Sequence, residues 1–571
     1  MDFVNHLEEI CSQPLIQLPR TAVNECHLIV ANDHDLRLIA QWAKEMQLYL
    51  CTLVASDERM LESHQYKLYY VFSAPDGDFL ILEYPLPGTR PLAYISIRDL
   101  YPSVEPLERK AFDLYGVIPI GYADGLGRFV LHDAYPGNLH PLRRTRNYEN
   151  LKRRQSKRNV AATGPRLVYP AGMMVLPVGP IHAGIIEAGQ FPFVVAGEVI
   201  EDVPVRLGYK HRGIEKLLES HYSLLTGWEL VEKVSGDSSF SHSMAFCLAV
   251  ESLANVIIPE SAQLWRALLL ELERIYNHIA DVGALAHDIS LDVVAADLAV
   301  LRETAVQLNH RLCGHRLLRG INRPGGIVFP HTPDLTPVPA FLTNLQKEFL
   351  ALSHLLLELP SCRDRMITTG VLTTQEAQQG GATGLAMRAT GAITHDFRLR
   401  HPIGVYKRPL IQTIIRELVP QDRESSGNLA GVYKSDLKGD VFARMALRIA
   451  EVNSSIRICI QVIDELTKSV AQQETWCAID AQVSAAPSFE FGLGYVENWR
   501  GDLFYWVMKG PNNAIFRCKV RDPSVFNWSA LRTATRRKPR QDQPGKYWEN
   551  ILADFPLINK SFNLSYAAND L

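Results

Sequence analysis

An α+β fold is predicted for this chain, with a small N-terminal α/β domain followed by a mainly α-helical-bundle domain. Three observations carry the prediction. The first 145 residues alternate short apolar runs with turn signals, an apolar stripe at three-four spacing begins at Leu264, and a second begins at Val441.

In the N-terminal domain, set at residues 1–145, apolar positions from Leu36 to Met46 fit an amphipathic helix. Leu68-Tyr69-Tyr70-Val71-Phe72 and Phe79-Leu80-Ile81-Leu82-Glu83-Tyr84 read as strands parted by the turn signal Pro75-Asp76-Gly77. Residues 143–158 then hold eight Lys or Arg against one Glu, and a basic linker is assigned to 146–170. It lacks the interleaved aromatic residues of a nucleic-acid stacking platform, so a solvated or partner-facing strap is expected.

The large domain is set at 171–540. Leu264, Leu268, Leu272, Ile275, Ile279 and Val282 share one face of a long helix. Val441, Met445, Ile449, Val452, Ile456, Cys459, Ile463 and Leu466 form another such face after Gly439-Asp440. Long antiparallel helices of this kind build a bundle whose core can hold a site made of facing side chains. Residues 541–571 form a C-terminal tail that turns apolar again at Phe555, Leu557, Ile558, Phe562, Leu564 and Tyr566. A free end stays polar, so the tail is expected to dock as an extended peptide on a partner, or back on its own domain.

Composition narrows the function classes. The 571 residues are 47% hydrophobic and 21% charged, and 59 basic against 62 acidic residues leave a net charge of −3. No global basic field exists to attract nucleic acid. The chain has no long uncharged apolar run, and Met1-Asp2-Phe3-Val4-Asn5-His6 lacks the basic start of a signal peptide, so membrane contact is expected only through partner subunits. Nine cysteines stand at 11, 26, 51, 247, 313, 362, 459, 477 and 518 without a close pair. They read as small buried residues of a reducing compartment rather than as ligands of a zinc or iron–sulfur centre.

The most informative stretch is Glu232-Lys233-Val234-Ser235-Gly236-Asp237-Ser238-Ser239-Phe240-Ser241-His242-Ser243. It resembles the E-[RK]-V-C-G-I-C-G-x-x-H-S segment of nickel–iron hydrogenase large subunits. Ser235 and Ser238 stand where that family has its first cysteine pair, and Ser524 and Asn527, in Asp522-Pro523-Ser524-Val525-Phe526-Asn527, stand at the second pair. The likeness continues through Leu107-Glu108-Arg109-Lys110-Ala111-Phe112-Asp113-Leu114-Tyr115-Gly116 and His140-Pro141-Leu142-Arg143, which resemble the complex I C subunit. Gly179-Pro180-Ile181-His182, Lys210-His211-Arg212-Gly213, Glu273-Arg274-Ile275-Tyr276-Asn277-His278, Ile321-Asn322-Arg323-Pro324-Gly325-Gly326 and Arg388-Ala389-Thr390-Gly391 resemble the complex I D subunit and formate-hydrogenlyase-type large subunits.

That resemblance implies a helical bundle with flanking β-structure, fused to a C-subunit-like domain. Soft thiolates hold the family's metal, and a hydroxyl or amide is a poor substitute, so no nickel–iron centre is expected at the four positions. The need for C-terminal processing is expected to be lost with it. Carried over by position, Glu187, Arg388 and Asp396, with Asp237 and His242, are the candidate catalytic groups of the cavity. His182, His211 and Arg212 are the candidate cofactor-binding or quinone-site groups. These residues form either a functional cavity or a buried ion-pair network. The family's quinone-contacting positions fall on Ile186 and Gly236, which offer no side-chain donor, leaving His182 or His242 to stand in.

The implied function is the large subunit of a membrane-associated oxidoreductase complex, relaying electrons from an iron–sulfur small subunit to a quinone or another acceptor, linked to ion translocation. The alternative is a non-catalytic coupling or scaffold subunit between a peripheral arm and an ion-translocating membrane arm. A metal-free enzyme using carboxylates and histidines is a third reading. No cofactor is expected in this chain beyond a possible quinone, and the iron–sulfur cluster belongs to a partner resembling the complex I B subunit. Further hydrophilic subunits and membrane subunits complete the implied partners, on the cytoplasmic side of the inner membrane.

Overall fold

The computed structural model describes residues 3–18, 24–86, 91–122, 125–132, 135–144, 172–183, 186–419, 430–468, 474–540 and 543–571. The predicted basic linker at 146–170 lies outside them. At the N-terminus, a five-stranded sheet runs in the order Ile16–Gln17, Glu25–Ile29, Phe79–Pro85, Tyr66–Ser73, Tyr49–Asp57. Within it, only the Glu25–Ile29 and Phe79–Pro85 pair is parallel. The predicted amphipathic helix starts earlier than its apolar pattern, spanning Asp33–Glu45, because the Asn32 side chain accepts from Asp35 N and Asp33 and Asp35 suit the positive end of the helix. The Leu107–Gly116 motif forms the helix Glu105–Tyr115, stopped by Gly116 at φ 72°.

The large domain is built on the antiparallel helices Glu260–Asp288 and Val441–Lys468, which carry the two predicted stripes. All six residues of the first stripe are buried, and helices Ser239–Leu253, Asp292–Cys313 and Val338–Glu358 pack around the pair. β-structure stands at both ends. Met174–Val178, Phe191–Ala196 and Val199–Asp202 form one sheet, and Phe491–Asn498, Gly501–Lys509 and Ile515–Arg521 form an antiparallel meander. The Ser239–Leu253 helix lies directly on the first meander strand. It can do so because Gly492 and Gly494 carry no side chain: a Cβ at either would strike the carbonyls of Ala249 or Ala245.

The two domains share a buried face. Cys51, Val54, Tyr69, Val71, Phe79 and Ile81 of the N-terminal sheet pack on Phe491, Leu493, Phe504, Trp506, Met508 and Phe516 of the meander. Tyr69 sits 5.0 Å from Trp506 between ring centres. Arg521 Nε donates to Cys51 O at 2.6 Å and Arg517 Nε to Ala55 O at 2.9 Å, so the strands of one domain finish hydrogen bonding in the other.

Of the two expectations for the tail, the structure follows docking on its own domain and corrects the extended form. The tail is not an extended peptide awaiting a partner but the helices Phe555–Phe562 and Tyr566–Asn569, folded back on the domain they belong to. Phe555, Leu557, Ile558, Phe562, Leu564 and Tyr566 are all buried in the large-domain core, with Phe555 against Phe193 at 4.7 Å and Tyr566 against Trp528 at 4.8 Å. Pro556 presets the first turn, and Asn563 ends the helix at φ 46°. Among the described residues, no helix is long and apolar enough to cross a membrane.

Candidate functional site

The Ser235–Ser238 loop is pinned by groups that its own segment does not supply. Tyr276 OH and Asn277 Nδ2 donate to Asp237 O at 3.1 and 2.7 Å, and Arg212 donates to Lys233 O and Val234 O at 2.8 Å each. Arg319 reaches Gly236 O at 3.3 Å and Ser239 Oγ at 2.9 Å. The helix that follows is capped from outside, for Glu273 accepts Phe240 N at 2.8 Å and Ser241 N at 3.1 Å. Burial, opposed by those bonds, pushes the Glu273 carboxyl up to about 7. The Glu273–His278 motif thus serves the loop from the central helix.

The second half-site meets the first through His242 and the tail. His242 Nδ1 lies 2.8 Å from Tyr505 OH, and Nε2 lies 3.4 Å from Asp522 Oδ2. Asp522 in turn accepts Ser524 N at 2.8 Å at the start of helix Ser524–Thr535. Between the two halves stands Ser565. Its Oγ is 3.1 Å from Ser235 Oγ, and its backbone N donates to Ser524 Oγ at 2.9 Å. Ser238 Oγ accepts Trp499 Nε1 at 3.0 Å and Arg500 at 3.1 Å, and Asn527 exchanges hydrogen bonds with the Thr383 backbone at 3.0 and 3.2 Å. All four side chains are buried and bonded. The tail thus bridges the space between Ser235 and Ser524.

Asp237 is the acid of the loop, and its partner is Arg500. The guanidinium grips both carboxylate oxygens at 2.9 and 2.6 Å and stacks 3.9 Å over Trp499. Burial alone would raise the Asp237 carboxyl, but the Arg500 charge and hydrogen bonds outweigh it and hold it at about 2. Trp499 and Arg500 are the two turn residues of the hairpin that pairs Asn498 with Gly501, so a tight turn aims both at the loop.

Arg388 and Asp396 are buried as well, but in a second cluster. Arg388 donates to Glu497 Oε1 at 2.6 Å and Glu451 Oε1 at 2.7 Å, with Asp396 Oδ2 at 3.7 Å. Asp396 is held by Arg398 Nη2 at 2.8 Å, and Arg398 continues to Glu271, which also accepts Tyr406 OH at 2.6 Å and Ser455 Oγ at 2.5 Å. His278 Nε2 lies 2.8 Å from Glu451 Oε2. Trp499 stands between the clusters, its indole bonded to Ser238 and its ring 5.9 Å from His278. Arg500 is the arginine bonded to the Ser235–Ser238 loop, and Arg388 belongs to a network of buried ion pairs.

The remaining candidates surround the tail. Glu187, with 43% of its side chain exposed, accepts Ala567 N at 3.1 Å, and His211 Nδ1 lies 2.8 Å from Asp570 O. Lys210 N adds a bond to Asp570 Oδ2 at 2.9 Å. His182 Nε2 is 2.7 Å from Gly189 O within its own loop. Burial depresses the His211 imidazole, which favours the neutral ring.

Two family models match, "Respiratory-chain NADH dehydrogenase, 30 Kd subunit" over residues 29–151 and "Respiratory-chain NADH dehydrogenase, 49 Kd subunit" over 288–544. Formate hydrogenlyase subunit 5 of Escherichia coli K12 is 30% identical over 528 residues, covering 91% of this chain and 84% of that protein. The chain belongs to the complex I C/D and hydrogenase large-subunit family. Hydrogenase-4 component G of the same organism is 28% identical over 529 residues, again covering 91% of this chain and 84% of its own length. A chain of the membrane-bound sulfane sulfur reductase, an archaeal respiratory membrane complex, shares the fold at a TM-score of 0.58 and 21% identity, over 71% of this chain and all of that one.

Within the family frame, sequence reasoning missed Arg500, Trp499, Glu273 and Ser565 as builders of the site. Glu273 and Trp499-Arg500 were open to reading, the first inside a family motif and the second as a turn between two apolar runs. Ser565 had no local signal, since its partners Ser235 and Ser524 lie 330 and 41 residues away.

Proposed function

We propose that this chain is the large subunit of a membrane-associated oxidoreductase complex related to complex I and hydrogenases, that it holds no nickel–iron centre, and that it acts as the coupling subunit between a peripheral arm and an ion-translocating membrane arm. One observation carries the reading: Ser565 bonds to Ser235 and Ser524 across the position that the family gives to its metal. Three hydroxyls and an amide, all engaged with neighbouring groups, do not fit a centre that requires thiolates. The quinone positions of the family fall on Ile186 and Gly236, and the two substitutes, His182 and His242, are bonded to Gly189 O and Tyr505 OH. The partners of this reading are an iron–sulfur small subunit, other hydrophilic subunits and membrane subunits. Names of relatives such as formate hydrogenlyase and a membrane-bound reductase complex support that setting.

Electron relay to a quinone is the competing reading, and one experiment separates the two. The intact complex, purified from a host with working hydrogenase maturation, is analysed for nickel, its iron–sulfur cluster is reduced, and reoxidation by a short-chain quinone is followed. The coupling reading expects no stoichiometric nickel and no reoxidation that depends on Asp237 or His242. Stoichiometric nickel, or quinone-linked reoxidation abolished by His242→Ala in a folded complex, overturns it.

A further inference from the structure

The second cluster has an odd charge. Glu271, Asp396, Glu451 and Glu497 face Arg274, Arg388 and Arg398, all almost wholly buried, so four carboxylates share three guanidinium groups. His278 and His395 are the imidazoles beside the cluster, and burial depresses both, favouring the neutral rings. An uncompensated charge at this depth costs several kcal/mol, so the cluster takes up one proton.

The donors choose the acid that holds it. Asp396 receives both Arg398 side-chain nitrogens at 3.1 and 2.8 Å and the Arg398 amide at 2.9 Å. Glu271 collects Arg274, Arg398, Tyr406 and Ser455. Glu451 holds Arg388 at 2.7 Å, Arg274 at 3.5 Å and His278 at 2.8 Å. Glu497 has the poorest set, one guanidinium N–H at 2.6 Å, on an Arg388 shared with Glu451, and the Phe397 amide at 3.1 Å. We propose that Glu497 is a proton-holding site, carrying the one exchangeable proton of the cluster while its three companion carboxylates stay ionised. Burial, only partly offset by Arg388 and reinforced by Asp396 and Asp502, pushes its carboxyl up to about 7. The other charged groups around it are Arg274, which bonds its backbone carbonyl at 2.7 Å, and the Asp502–Arg521 pair across the hairpin.

The step is protonation alone: one O–H bond forms on Glu497 and no electron moves. Tyr406, bonded to Glu271, lines a cleft of about 280 Å³ walled by Met244, Leu248, Val256, Ile258 and Ile403.

Thermal unfolding of the full chain from about pH 5 to about pH 8 tests the site. Because the folded Glu497 titrates above its unfolded value, the native state holds the extra proton, and the contribution of Glu497 to stability declines as pH rises from about 4.3 to about 7 and is flat above. Glu497→Gln, a permanent mimic of the neutral acid, is expected to fold, to lose this decline and to match or exceed the parent chain near the upper pH. Glu451→Gln, which strips an ionised partner from Arg388, is expected to be less stable at every pH. Infrared difference spectra between the parent chain and Glu497→Gln are expected to show a protonated-carboxylic-acid band that fades as pH passes neutrality, which separates Glu497 from Glu273 and Glu232, two acids that burial also pushes up to about 7. A Glu497→Gln chain as unstable as Glu451→Gln near the upper pH, a decline no shallower than that of the parent chain, or the absence of the band from the difference spectra overturns the proposal.

Discussion

Arg500 adds to the Ser235–Ser238 loop a positive charge that the loop lacks, tying the Asp237 carboxylate to the Ser238 hydroxyl and to the tail at Asn563 O. Removing one partner of a fully buried ion pair costs about 3–5 kcal/mol, but Asp237 keeps 40% of its side chain in solvent and can rehydrate. Arg500→Ala is therefore expected to cost about 2 kcal/mol in chemical denaturation, discounted for that screening. The pair also sets an acid limit. The Asp237 carboxyl is depressed, so its stabilisation is whole above the ordinary carboxylate range and is lost as pH falls from there towards about 2. The acid unfolding profile of Arg500→Ala should lack that component, and an unchanged profile would count against the pair. Asp237 was legible from its motif, whereas Arg500 is 263 residues away and only the folded hairpin brings them together.

At the scale of the element, the tail is part of the core. Six buried apolar side chains, each contributing about 1.5–3 kcal/mol, together rival the whole stability of an ordinary domain, about 5–15 kcal/mol. Deleting residues 555–571 is thus expected to abolish folding of the large domain with no partner present, as judged by loss of a cooperative circular-dichroism melt; a truncated chain that melts normally would contradict this. Helicity here was readable in principle. Phe555, Ile558 and Phe562 follow helical spacing and Pro556 suits a first turn, but the basic, proline-bearing segment Arg536–Gly545 just before them suggests a detached end. The long helices were easier to read, because their stripes persist over many turns and average out local exceptions.

Taken whole, the molecule is one body because two sheets share a face. Trp506 is fully buried between the meander and Tyr69, and Trp506→Ala should cost about 3–5 kcal/mol. Both domains are expected to unfold in a single calorimetric transition in the parent chain, and two well-separated transitions would rule out the shared core. Each strand of that face was legible, and so was a hint of its fate, since Leu68–Phe72 is apolar on both sides, as suits a strand covered on two faces. What covers it was not, because the meander begins more than 400 residues later and nothing in Leu68–Phe72 names its partner. The ion pairs of Arg388 were hidden for the same reason, with Glu451 and Glu497 lying 63 and 109 residues on.

The Ser565 bridge also fixes an order of events during synthesis. Ser235 leaves the ribosome 330 residues ahead of the hydroxyl that will meet it, so until that hydroxyl is made the loop lacks its partner. Closing so long a loop costs little more than closing a short one, and the contact forms once the turn at Ser565 arrives. The piece that seals the site is then translated after the parts it seals, and a ribosome that stops before Ser565 releases a chain whose most distinctive loop has never been closed.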